Sequence, residues 1–177
     1  KSIDTSKAEK LPGVHAVITG ADLPTKYGVI PWTPDETALA VDKVRFVGDE
    51  VAAVAAVDED TANAALELIE VEYEVLPAIM DPREALARTD VTLHANKRGN
   101  NVSKHVLLEF GKVDEEIAGA DLVIENDYSF HGTTHTAIEP HCAVAQFGAD
   151  GRLTLWSSTQ ITHYVHRALA RVLALDP

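Results

Sequence analysis

"VRFVGDEVAAVAAVDEDTANAALELIEVEYEVLPAIM", residues 44–80, places a strand period and a helix period end to end, and its reading decides the fold class. Val51–Val57 is a continuous run of apolar residues, the length of a buried strand. Asp58 ends it and supplies a helix cap, and Glu59 and Asp60 place two more carboxylates at the positive end of the helix dipole. Ala62, Leu66 and Ile69 then recur at spacings of four and three, which puts them on one helical face. Val71, Tyr73 and Val75 alternate with Glu72 and Glu74, a strand with one apolar side. The stretch reads as a β-α-β unit, preceded by a short strand at Val44–Val47 and a Gly-Asp break. Pro77 and Pro82 close it, and "DPREALA" (81–87) opens a short helix.

Working outward, residues 4–24, "DTSKAEKLPGVHAVITGADLP", read as an acid-capped helix, a Pro-Gly turn and the strand Val14–Thr19, which Gly20 breaks. Residues 25–40 show little periodicity and are expected to be irregular. Residues 88–103, "RTDVTLHANKRGNNVS", are polar and rich in Asn and Gly, which marks a linker. Beyond it the pattern turns to β. Leu122, Ile124, Tyr128 and Phe130 share one face of "DLVIENDYSF", and "HCAVAQF" and "RLTLW" flank a Gly148-Ala149-Asp150-Gly151 hairpin loop. A last helix after Gln160 turns Val165, Leu169 and Val172 inward and Arg167 and Arg171 outward. The expected class is α+β, with domains at 1–86 and 104–177 joined by a linker at 87–103.

The chain has 177 residues, 46% hydrophobic and 24% charged, a globular balance with enough length for one or two cores. With 28 acidic against 15 basic residues the net charge is -13, which repels phosphate backbones, and no basic stripe offsets it; nucleic acid is excluded as a partner. No apolar run reaches the roughly 18 residues a membrane span requires, and no signal-peptide pattern opens the chain. One cysteine, Cys142, precludes an internal disulfide and suits a reducing compartment, so the expected location is the cytoplasm. The chain opens without a start methionine and stops as a helix finishes, and reads as an excerpt of a longer protein.

Several residues bear chemistry. His131, His135, His141, His163 and His166 crowd the second unit, but Gly132-Thr133-Thr134 sits between the first two and no acid or cysteine between the last two, so surface or packed histidines are the default over zinc. Cys142 lies in an apolar strand and reads as a small buried hydrophobe rather than a nucleophile. "FVGDEV" (46–51) has one glycine and an acid where a phosphate would sit. Glu139, before Pro140, reads equally as a purposeful carboxylate or a strand-edge residue. Gln160 follows Ser157-Ser158-Thr159 at a strand-to-helix joint, where an amide either caps the helix or offers a donor and an acceptor to a ligand.

These residues together resemble a known family. "LPGVHAVITGADLP" and "VDKVRFVGDEVAAVAAVDEDTANAALELIEVEYEVLPAIMDPREAL" resemble the α/β hammerhead domain of the xanthine dehydrogenase and aldehyde oxidase family. "HTAIEPHCAVAQF" and "WSSTQITHYVHRALARVLAL" resemble the start of that family's molybdenum-cofactor-binding domain. The resemblance implies an excerpt of the catalytic large subunit of a molybdenum hydroxylase, binding molybdopterin, often as the cytosine dinucleotide. It implies an iron-sulfur small subunit with two [2Fe-2S] clusters and an FAD-binding medium subunit as partners, in a dimer of heterotrimers. Gln160 matches the family glutamine that hydrogen-bonds an oxygen ligand of the molybdenum, so it approaches the metal without ligating it, and Thr159 and Ser158 would hold its turn. His135 and Glu139 match a family His-x-x-x-Glu pattern that supports the funnel or the fold. The family's "GGGFG" loop and its catalytic glutamate base fall beyond Pro177, so the excerpt holds no catalytic residue and is expected to be inactive alone.

Within the family, "TQITHYVHRALA" and "YGVIPWTPDETALAVDKVRFVGDEVAAVAA" resemble the 4-hydroxybenzoyl-CoA reductase branch, which removes a phenolic hydroxyl reductively from an aromatic substrate. An oxidative hydroxylase of purines, aldehydes or N-heterocycles is the alternative. A non-catalytic packing module is the alternative of another class.

Overall fold

The computed structural model describes residues 1–28, 30, 34–94 and 99–176. Parts of the irregular stretch 25–40 and of the linker therefore lie outside the described residues. Contacts along the chain divide it into one unit of residues 1–103 with 161–177 and another of residues 104–160.

In the first unit, β1 (Ser2–Asp4) pairs antiparallel with β4 (Glu70–Glu72), and β2 (Val14–Thr19) pairs antiparallel with β3 (Ala52–Ala56). A bulge between Val14 and Ala16 shifts the second register by one residue. Val57 N–H donates to Gly13 O at 2.9 Å and carries that ladder one step further. Gly13 has φ +93°, and a Cβ there would stand 2.9 Å from Val57 Cγ2, so the turn into β2 requires glycine on both counts. Helix α1 (Glu59–Leu66) lies against β2 and β3. Its cap is Asp58, whose carboxylate accepts from Thr61 N–H at 2.8 Å, as the sequence predicts.

Several expectations for this unit change. The β-α-β order holds along the chain, but β3 and β4 lie in different sheets, each paired to an N-terminal strand. Val44–Val47 is not a strand, because Asp49 Oδ2 takes the Arg45 amide at 2.6 Å and Gly48, at φ +101°, turns the chain. The expected helix after Asp4 is a turn. Asp4 instead closes β1, and its carboxylate takes the Ser6 amide at 2.9 Å. The inward face of α1 also differs: Ala65 is fully buried while Leu66 is exposed, so the helix presents its smallest side chains to the sheet. Val71–Val75 pairs only as far as Glu72, and Val75 is exposed.

Helix α2 (Pro82–Ala87) begins as "DPREALA" predicts, with Asp81 accepting from the Arg83 and Glu84 amides at 2.8 and 2.9 Å. The chain after it is tied down by side chains acting on main-chain groups. Asn101 Nδ2 donates to Ala85 O and Val91 O at 3.0 and 2.9 Å, and Asn101 Oδ1 accepts from Leu93 N–H at 2.8 Å. Lys43 Nζ donates to Thr92 O at 2.6 Å and Arg45 Nε to Leu93 O at 2.9 Å. Helix α4 (Thr162–Leu173) ends at Ala174 in the left-handed region, with Leu175 N–H reaching Ala170 O at 2.9 Å. Val165, Leu169 and Val172 are half-buried and Arg167 and Arg171 exposed, as their spacing predicts.

The second unit contains the short helix α3 (Val113–Ala118) and the hairpin β5 (Ala143–Phe147) and β6 (Leu153–Ser157). The hairpin register runs from Ala143↔Ser157 to Phe147↔Leu153. Gly151, at φ +82°, supplies the left-handed loop position that the Asp-Gly signal predicts. Residues 121–130 carry an alternating pattern but form no strand, since no neighbouring strand among the described residues completes their hydrogen bonds.

Candidate functional site

Gln160 stands where β6 has ended and α4 has not yet begun. The residue in the cap position is Ile161, which has no polar side chain to offer, and no side chain caps α4. Gln160 sits one residue earlier, is exposed, and its amide makes no hydrogen bond among the described residues. The capping role is therefore ruled out, and the amide keeps two donors and an acceptor uncommitted.

The turn before it is anchored to the other strand. Ser158 N–H donates to Cys142 O at 3.2 Å, and Cys142 N–H donates to Ser158 Oγ at 3.3 Å. Ser158 Oγ also lies 3.5 Å from Cys142 O. Thr159, between that anchor and Gln160, is half-buried. Sequence reasoning places Ser158 in the turn but misses its cross-strand partner, because no local pattern marks a bond between positions 142 and 158.

The sequence predicts Cys142 as a buried residue inside an apolar strand. It lies one position before β5 and is exposed, because nothing among the described residues packs over that side of the hairpin. His131, His135, Glu139 and His141 lie on an exposed loop with no strand or helix. Within it Thr136 takes a positive φ of 47°, and its amide donates to Thr134 Oγ1 at 3.1 Å. His163 and His166 are on α4, both exposed. Among the described residues no three His, Cys, Asp or Glu side chains gather at one point that would hold a metal ion. No helix among them is long and apolar enough to cross a membrane.

Comparison with known proteins places this geometry in a family. Residues 1–77 match the model of the aldehyde oxidase and xanthine dehydrogenase a/b hammerhead domain, and residues 93–177 match that of the molybdopterin cofactor-binding domain. Over 98% of its length the chain is 40% identical to the nicotinate dehydrogenase large molybdopterin subunit of Eubacterium barkeri, of which it spans 40%. Over 97% of its length it is 36% identical to the xanthine dehydrogenase molybdenum-binding subunit of Escherichia coli, of which it spans 24%. The aldehyde oxidoreductase from Desulfovibrio gigas superposes on the whole chain with a TM-score of 0.80 at 32% identity, and the chain covers 20% of that structure. Two antiparallel sheets with α1, followed by the β5–β6 hairpin, are thus a hammerhead domain and the beginning of a molybdopterin-binding domain. The chain belongs to the aldehyde oxidase and xanthine dehydrogenase family of molybdenum hydroxylases, as a segment of the large subunit.

Proposed function

We propose that this segment serves the molybdopterin-binding catalytic subunit of a molybdenum-dependent oxidoreductase, with Gln160 as its contact to the cofactor. One observation carries the reading: inside the stretch that matches the molybdopterin-binding domain, Gln160 presents an exposed neutral amide that makes no hydrogen bond among the described residues. That donor suits the cofactor's oxygen-rich centre, because an amide N–H holds an oxygen without adding charge or displacing a ligand. Molybdenum, when bound, supplies two-electron exchange with substrate. The role of this chain is to orient: Gln160 donates, Thr159 and Ser158 hold its turn, and His135 and Glu139 support the funnel or the fold. The cytosine dinucleotide form of the pterin belongs to the proposal. So do iron-sulfur and FAD-bearing partner subunits in a dimer of heterotrimers, and a cytoplasmic location.

For the substrate, the nicotinate and xanthine relatives favour oxidative hydroxylation of an N-heterocycle. The reductive 4-hydroxybenzoyl-CoA reading is second, favoured by the "TQITHYVHRALA" stretch at residues 159–170. The test is the purified native complex containing the full-length subunit. Elemental analysis is expected to find about one molybdenum per subunit, with iron present. Nicotinate or xanthine should reduce an artificial acceptor. Oxidation of a reduced dye by 4-hydroxybenzoyl-CoA alone would move the assignment to the reductase, and a complex without molybdenum from molybdate-fed cells would refute both readings.

A further inference from the structure

We propose that Ser158 is a positioning residue for Gln160, its hydroxyl standing in for a main-chain acceptor at the point where the chain must leave the hairpin. Residue pairs that exchange two main-chain bonds alternate along an antiparallel ladder. Gly148 N–H donates to Arg152 O at 2.8 Å at the loop end, and Cys142 opposite Ser158 falls in the same alternating series at the other end. At that last pair one bond is regular, from Ser158 N–H to Cys142 O at 3.2 Å. The reciprocal bond is not: Cys142 N–H reaches Ser158 Oγ at 3.3 Å rather than the Ser158 carbonyl. The strand ends with both of its final N–H groups satisfied, yet the Ser158 carbonyl is freed from the sheet. The peptide after it can therefore rotate out of the strand direction. Thr159 and Gln160 leave along that new path, and Gln160 ends up outside both the ladder and the helix cap.

An alanine at 158 would leave the Cys142 N–H with a choice between losing its partner and pulling the Ser158 carbonyl back into line. The second option continues the strand and rotates Gln160 away from its direction of approach. A hydroxyl at this position is thus linked to where the amide two residues on is aimed. This inference rests on the reading of Gln160 as the cofactor contact.

The test uses the full-length subunit in its native complex and four variants: Ser158→Thr, Ser158→Val, Ser158→Ala and Gln160→Ala. Thr and Val have nearly the same shape and differ in the hydroxyl. Ser158→Ala is a second hydroxyl-free variant, so that misfolding of one does not decide the result. The readouts are the electron paramagnetic resonance spectrum of the molybdenum and kcat/KM. Expected are a Ser158→Val spectrum shifted in the same sense as that of Gln160→Ala, about a tenfold fall in kcat/KM, and a wild-type spectrum for Ser158→Thr. If Gln160→Ala changes the spectrum while Ser158→Val and Ser158→Ala do not, or if Thr and Val behave alike, the positioning role is overturned and the cofactor contact survives. If Gln160→Ala itself leaves the spectrum unchanged, the cofactor contact fails and this inference with it.

Discussion

Replacing Asn101 by alanine tests whether the segment after α2 is a tether or an ordered part of the first unit. Its side chain makes three hydrogen bonds, to Ala85 O, Val91 O and from Leu93 N–H, all partly buried. At about 1 kcal/mol net for each bond, reduced because water can replace part of what is lost, Asn101→Ala should cost roughly 2 kcal/mol. Local opening of residues 85–93 should then become about 30-fold more frequent, since ~1.4 kcal/mol corresponds to a factor of ten. The assay is hydrogen exchange at the Leu93 amide, whose protection reports the opening directly because Asn101 Oδ1 is its acceptor. Asn101→Asp sharpens the test: it keeps an acceptor for Leu93 N–H but turns a carboxylate oxygen toward the Ala85 and Val91 carbonyls, so residues 85–91 should loosen more than Leu93. Unchanged Leu93 protection in Asn101→Ala would refute the reasoning, and the bonds from Lys43 and Arg45 would then be sufficient to hold the segment.

Gly20→Ala would place a Cβ 2.3 Å from Ala40 O, a main-chain atom that cannot swing aside, and should destabilise the first unit by about 3 kcal/mol in denaturant unfolding; a loss below about 0.5 kcal/mol, the size of an ordinary surface change, would contradict the close approach. Hydrogen bonding from Thr61, hydroxyl first and main-chain amide second, holds the Asp58 carboxyl below its ordinary value of 3.8. Its contribution to α1 is therefore complete above that value and is lost as the pH falls through the lower folded value. Asp58→Asn, which keeps the cap without the titration, should remove that acid-side loss in a circular-dichroism titration, and an unaltered profile would assign the loss to other carboxylates. Gly151→Ala meets no steric neighbour but must adopt φ +82°, so the hairpin should weaken by roughly 1 kcal/mol, read as faster exchange across β5–β6; no change would contradict the left-handed loop.

The amino-acid order determined by itself every feature whose free energy is local. The Asp58 cap, the Pro82 helix start, the Asp-Gly hairpin and the 4-3 spacing on α4 all depend on residues within a turn or two of each other, and each is where the sequence places it. The long ordered resemblance likewise carries the family in the sequence itself. Tertiary structure decided the rest. Alternation in Glu70–Glu72 marks a strand but does not say that Ser2–Asp4 is its partner, and the same alternation in residues 121–130 forms no strand because no partner is at hand. Polar residues in 87–103 have the composition of a linker, yet Asn101 binds the main chain at Ala85, Val91 and Leu93. Gln160 was legible as either cap or ligand contact; only the placement of Ile161 at the cap removed the first option. The physical reason is common to these cases: a period or a cap is read from neighbours in the chain, whereas a hydrogen bond between residues 101 and 85, or 142 and 158, exists only after the backbone has brought its donor and acceptor together.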